Sequence, residues 1–295
     1  LPGPRIYPSG AIISETGGHA DFRMVYDIPE PFDCCGLTHT EKIGAAIIAD
    51  GVDAVIVASR NNLRLGASQI KLMGGVSSLY DQLEDVQYFE DELHAAVMAA
   101  EDAGTYVMVH VYVPEAIRRA IRAGVKSIEH GQLIDEPTMK LIAEKGVWLS
   151  MQPFIGEGNN HYTNPVQQAK HELVVQGTDR AYQLAKKYGV KLAWGTDLLF
   201  SPANARNQNL NIEKMTRWFS NFEILKMITH DNAELLALSG RRNPYPGKLG
   251  VIEEGALADL IVVDGNALED IKVLTDPGKN MLLIMKDGKI YKNDL

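Results

Sequence analysis

The 295 residues carry 29 Lys and Arg against 38 Asp and Glu, a formal net charge of −9, with 45% hydrophobic and 23% charged residues. That make-up belongs to a globular chain with one large core, and its acidity excludes a phosphate-binding surface, so nucleic acid is not an expected partner. No run of about 18 apolar residues occurs, so no membrane span is expected.

The chain opens LPGPRIYPSG, without an initiator Met or a signal-peptide pattern. RIYPSGAIIS reads as a strand. Cys34 and Cys35, the two cysteines, are adjacent, which makes a mutual disulfide strained and leaves no disulfide framework. A reducing, cytoplasmic setting follows. GVDAVIVASRNNLRLGA reads as helix, ASQIKLM as strand with a turn at Gly74 and Gly75, FEDELHAAVMAAEDAG as helix and TYVMVHVY as strand. PEAIRRAIRAG is a helix with Pro114 in its first turn, where a missing N–H costs nothing. It carries Arg118, Arg119 and Arg122, the nearest approach to a basic run, on its wet face. KSIEHG is strand, EPTMKLIAEKG helix and VWLSMQP strand. After a polar stretch to about Asn164 comes a helix to Tyr188, then KLAWGTD as strand and NFEILKMITHDNAELLAL as the last long helix.

Gly104, Gly124, Gly146 and Gly189 each follow a helix and precede a strand, the place of a left-handed C-cap. Helices alternating with strands at this spacing imply βαβ units and a parallel sheet. Six strands are counted up to Asp197, where a closed eight-stranded barrel needs two more. In the tail, GALADLIVVDGN and NMLLIMKDGKIY read as short β-strands, with an Asp-Gly turn in KDGK.

In parallel barrels the chemistry sits at the C-terminal ends of strands. Those ends supply Lys71 (QIKLMGG), His110 (MVHVY), His130 (IEHG) and Asp197 (WGTD). Each has a plainer reading: a lone strand-end His is often a satisfied polar group, and Asp197 could cap the following segment. Four such residues at strand ends of one barrel favour chemistry, because imidazole and carboxylate suit Zn²⁺ and a buried lysine needs a special partner. His19 in TGGHAD either touches substrate or orders its loop. Tyr112 shares the strand face of His110, in reach of a substrate carbonyl or carboxylate. His161 and His171 read as solvated loop residues, Trp148 and Trp194 as packing, and Gly74–Gly75 as a turn, since no phosphate-loop motif accompanies them.

QIKLMGG, H-V-Y, IEHG and GTD, with SETGGHADFR before them and NAELLAL and GKLGVIEEGALADLIVVDG after, resemble the amidohydrolase superfamily across the whole chain. The resemblance is to its prolidase-like and imidazolonepropionase-like branch. It implies an α/β fold, a (β/α)8 TIM-type barrel, here strands 3–8 over residues 1–240, with the C-terminal part of a small β-sandwich over 241–295. It also implies two divalent metal ions, zinc by preference, bridged by a carboxylated lysine. Carried over, Lys71 is that lysine, His110 and His130 hold the second metal, and Asp197 holds the first and takes the proton from a bridging hydroxide. His19 and Tyr112 become substrate-binding residues.

The implied function is hydrolysis of an amide or peptide bond in a small substrate, Xaa-Pro or a related dipeptide, by a metal-bound hydroxide. Cyclic amide hydrolysis or deamination is the alternative within the superfamily. One departure opens a third reading. The family's first strand ends in His-x-His, and the eight histidines here (19, 39, 94, 110, 130, 161, 171 and 230) include no such pair. By that layout the chain starts near the third barrel strand, and the expected partner is a homo-oligomer or a complementing N-terminal fragment. A chain without that piece would expose two strand edges and be poorly soluble and nearly inactive, or would serve only as an inert binding or structural barrel.

Overall fold

The computed structural model describes residues 3–24, 38–75, 82–156, 164–198 and 205–295. Cys34, Cys35 and His161 lie outside the described residues. Among the described residues, no helix is long and apolar enough to cross a membrane.

Seven strands form one parallel sheet: β1 (Ile12–Ser14), β2 (Ala46–Ile48), β3 (Ile70–Met73), β4 (Val107–Val111), β5 (Ser127–His130), β6 (Trp148–Met151) and β7 (Lys191–Trp194). Their order is β2-β1-β3-β4-β5-β6-β7, and the sheet does not close on itself among the described residues. The helices between them are α1 (His39–Lys42), α2 (Val52–Arg64), α3 (Glu90–Ala103), α4 (Pro114–Ala123), α5 (Glu136–Lys145) and α6 (Pro165–Tyr188). Gly104, Gly124, Gly146 and Gly189 close α3, α4, α5 and α6 with φ of 76°, 100°, 63° and 63°, the left-handed caps expected of them.

Two expectations are corrected. Among the described residues the parallel strands number seven, because the three residues Ala46–Ile48 pair with β1 at the sheet edge. Such a short strand, leading within a few residues into a long helix, leaves no period-two pattern to read. RIYPSGAIIS is a strand only at Ile12–Ser14. Its first half turns elsewhere: Pro8 cannot donate to a ladder, and Gly10 sits at φ 73° against the Asn62 side chain.

The outward face of the sheet supplies Ile70, Leu72, Val107, Val109, Ile128 and Leu149, all buried against α3 to α6 through residues such as Leu93, Ile117, Met139 and Ala185. Each large aliphatic side chain sequestered there contributes about 1.5–3 kcal/mol relative to exposure. Glu92 ties two helix starts together: one carboxylate oxygen accepts from Gly51 N at the start of α2, the other from Phe89 N at the start of α3. That placement puts negative charge where both helix dipoles favour it.

The tail forms a separate antiparallel sheet of β8 (Leu260–Val263), β9 (Met281–Lys286) and β10 (Lys289–Asn293), in the order β10-β9-β8. Asp287 and Gly288 join the last two strands, both at positive φ (52° and 73°), the conformation the Asp-Gly pair foretells. The start of the chain packs here: Arg5 bridges Asp259 and Asp287, Lys286 Nζ donates to Gly3 O, and Tyr7 meets Tyr245 edge-on.

Candidate functional site

Directly paired residues of parallel neighbours share a sheet face, so register fixes which side chains point inward. Lys71, Met108, Ser127, Trp148 and Lys191 occupy one level, and Met73, His110, Glu129, Ser150 and Ala193 the next. Tyr106, Trp148, Ala193 and Leu235, with Met108 against them, make an apolar floor. Trp148 is thus packing, as expected, and Trp194 packs on the main core with its indole N–H buried and unpartnered.

Above the floor the rings gather. His110 lies 4.4 Å, centroid to centroid, from both His19 and His130, and Tyr112 lies 5.0 Å from His110 and 5.5 Å from His130. His110, His130 and Tyr112 are buried. Strand alternation brings His110 and Tyr112 in from β4. His130 arrives differently. It is paired with Val111, which faces the helices, so regular alternation would turn it outward. Its φ of 80° reverses the chain and swings the ring into the mouth, with Gly131 following at φ 68°. Asp197 also sits in the left-handed region, at φ 50°. A non-glycine residue held there costs on the order of 1 kcal/mol or more, and such residues cluster at functional sites.

The electrostatics suit a site that receives a cation. Burial, reinforced by the neighbouring charge of Lys71, pushes His130 down to about 4. Burial also takes His19 down to about 4, with His130 and Lys71 adding to it. Both rings are therefore neutral, lone-pair donors near neutral pH. Burial lowers Lys71 as well, opposed by the carboxylates of Glu129 and Asp197, which act at longer range than an ion pair. Asp197 stands at the rim, open to solvent on one side and packed on the other. Desolvation raises its carboxyl and Lys71 opposes the rise. His19 Nδ1 is buried without a partner.

His19 is held from below. Its N–H donates to Gln87 Oε1 at 2.9 Å, and its carbonyl accepts from Ser14 Oγ at 2.5 Å. The loop-ordering reading therefore belongs to its backbone, while its ring faces the site. Gly74 packs so closely on Val109 and Val111 that a Cβ would meet their methyls at 2.6 and 2.9 Å, so Gly74–Gly75 serves packing and the turn.

Three residues at the mouth escaped the sequence reading. Gln152, just past β6, accepts at Oε1 from His130 Nδ1 at 2.7 Å. Gln132 Nε2 lies 3.4 Å from the same oxygen. Glu129 faces inward beside His110 and accepts from Ser127 Oγ at 2.5 Å. The strand-end rule would have found Gln152 and Glu129 had it been applied to every polar side chain instead of to His, Lys and Asp alone.

Known proteins share this architecture. The Amidohydrolase family profile matches residues 1–291. The chain belongs to the amidohydrolase family. Ochratoxinase of Aspergillus niger is 34% identical over 304 residues, covering 99% of this chain and 61% of its own length. The chain thus spans about 61% of the curated relative it matches. A crystal structure of a prolidase complexed with N-methylphosphonate-L-proline superposes with a TM-score of 0.86 at 37% identity, covering 99% of this chain and 70% of that one. A Xaa-Pro dipeptidase with bound methionine in its active site gives 0.81 at 31% identity, covering 99% and 69%. The fold is accordingly the amidohydrolase barrel type, with its small β element alongside. Amidohydrolases generally use divalent metals. The donors here fit one: a neutral, buried His130 in ring contact with His110, the Lys71 amine near enough to lower both His130 and His19, and the buried, unpartnered Nδ1 of His19.

Proposed function

We propose that this protein is a divalent-metal-dependent hydrolase of an amide bond in a small substrate, Xaa-Pro or a related dipeptide. The observation that carries the reading is the meeting of His19, His110 and His130 above a deeply set Lys71 at one strand-end mouth. The substrate class is supported by the prolidase and the dipeptidase among the similar structures. Ochratoxinase, also similar, is an amide hydrolase, and cyclic amide hydrolysis or deamination is the alternative within the superfamily.

His110, His130 and Lys71 would hold one metal, zinc by preference, and Asp197 would bind beside them. Carboxylation of Lys71 would convert a desolvated amine into an anionic ligand. The metal supplies Lewis acidity toward water and toward a substrate carbonyl. Asp197, its carboxyl raised by desolvation, accepts a proton at the rim and passes it to the leaving nitrogen. Tyr112 donates to a substrate carbonyl or carboxylate, and His19 lines the same pocket. The barrel occupies residues 1–240, and 241–295 contribute the C-terminal part of a β-sandwich. A homo-oligomer or a complementing N-terminal segment is the proposed partner, inside a cytoplasmic setting.

The second reading is an inert barrel, favoured by the want of any His-x-His pair in the sequence. Metal content separates the two. Protein purified in zinc and measured intact at neutral pH should carry stoichiometric metal, a mass increment of one CO₂ on Lys71, and hydrolysis of Xaa-Pro dipeptides. No bound metal together with no turnover would establish the inert barrel instead.

A further inference from the structure

We propose that Gln152 is a positioning residue that locks His130 as its Nδ1–H tautomer and so presents Nε2 as the lone-pair nitrogen. The inference rests on the metal-site reading above for its purpose, but not for its geometry.

The ring of His130 cannot be steered by strand geometry, because the left-handed backbone at this residue has broken the alternation. Its backbone is wedged: a Cβ on the next residue, Gly131, would meet Leu149 Cδ1 at 2.8 Å. The remaining freedom is rotation of the side chain, limited by the His110 and Tyr112 rings and fixed in polarity by one hydrogen bond. Nδ1 lies 2.7 Å from Gln152 Oε1, and His130, Gln152 and Gln132 are 5%, 4% and 0% exposed, so water does not compete. A neutral imidazole has one N–H. If it points at Oε1, Nε2 is bare.

The second amide agrees with the orientation of the first. Gln132 Nε2 approaches the same Oε1 at 3.4 Å, so two donors converge on one carbonyl oxygen. With Gln132 as placed, turning the Gln152 amide over would aim its NH₂ at another NH₂. Ligating histidines generally need such a partner on the far nitrogen, and losing it typically costs about 10–100-fold in metal affinity.

The test begins with metal-free, ¹⁵N-labelled protein, in which long-range ¹H–¹⁵N correlations report each histidine's tautomer. His130 is assigned by the signals lost in His130→Asn. The wild-type ring should show a protonated Nδ1 and a bare Nε2. Gln152→Leu should shift it to the Nε2–H form or a mixture and weaken zinc binding about 10–100-fold. Gln152→Glu, which keeps an acceptor oxygen, should restore both. A wild-type His130 protonated at Nε2, or a folded Gln152→Leu that keeps Nδ1–H, overturns the proposal, and the first needs no variant to fold. If the tautomer behaves as stated but no variant or wild type binds zinc, the clamp stands and the hydrolase reading falls.

Discussion

Two histidine-carboxylate groupings in this molecule look alike on paper and differ in physics. One is the mouth of the barrel. The other is His230, Asp231 and Glu234, whose ligand-type atoms lie within 4.8 Å of one another. The second comes from a single stretch, where a π-helical segment, Met227–Asp231, leads into the next helix. Its charges are already answered: Asp231 accepts from His230 Nδ1 at 2.9 Å and pairs with Lys226, and Glu234 is exposed. At the mouth the donors come from separate strands; His110 and His130 are buried, and Asp197 stands at the solvent rim. His19 Nδ1 is buried without a partner, and His130 and Asp197 are held in left-handed backbone. Proximity is cheap on a helix. A cation is rewarded most where the protein has already removed water from its ligands.

The sharpest way to break that comparison is to remove the proton acceptor at the rim. Asp197→Asn should lower kcat by about 10²–10⁴-fold, the usual contribution of a positioned acid–base group. Steady-state rates on a Xaa-Pro dipeptide check this, and a loss below tenfold would take Asp197 out of the mechanism.

Next in size is metal affinity. His110→Ala or His130→Ala should weaken bound zinc at least about 10–100-fold, measured by chelator competition, since a ligand should cost no less than its supporting partner. Unchanged affinity in both variants would remove the assignment.

A smaller effect concerns pH in the metal-free protein. His19 and His130 have folded values near 4 against an ordinary 6.5, so the unfolded chain binds more protons between those limits. Stability from these groups is present above about 6.5 and is lost as pH falls toward 4. For His130 alone the slope cannot exceed about 1.4 kcal/mol per pH unit. Thermal unfolding across that window should show Tm falling with pH, and the fall should flatten in His130→Asn. A Tm that rises toward pH 4 would contradict the buried neutral rings.

The least effect is expected at the surface group. His230→Ala combined with Glu234→Ala should leave zinc stoichiometry and turnover within error, and a lost equivalent of zinc would show that exposure does not disqualify such a cluster.

Much of this protein is decided locally and can be read without coordinates. The left-handed caps at Gly104, Gly124, Gly146 and Gly189 follow from the absence of a Cβ, and the Asp287–Gly288 turn from the few residues that accept positive φ. The alternation of helices and strands placed His110 and Tyr112 at the end of β4 and Asp197 beyond β7, because period and chain direction are properties of the segment itself. Lys71, by contrast, lies one level lower, at the second residue of β3. Long-range structure decided the rest. Ala46–Ile48 is a strand because β1 offers it an edge, and residues 3–8 leave the sheet because Asp259 and Asp287 receive Arg5. His130 faces the mouth through a reversal of φ that no residue pattern announces. Gln152 matters because β6 runs beside β5, bringing together two side chains that are 22 residues apart. Local rules act on neighbours along the chain, whereas a site is made where packing brings distant strand ends together and keeps water from satisfying them.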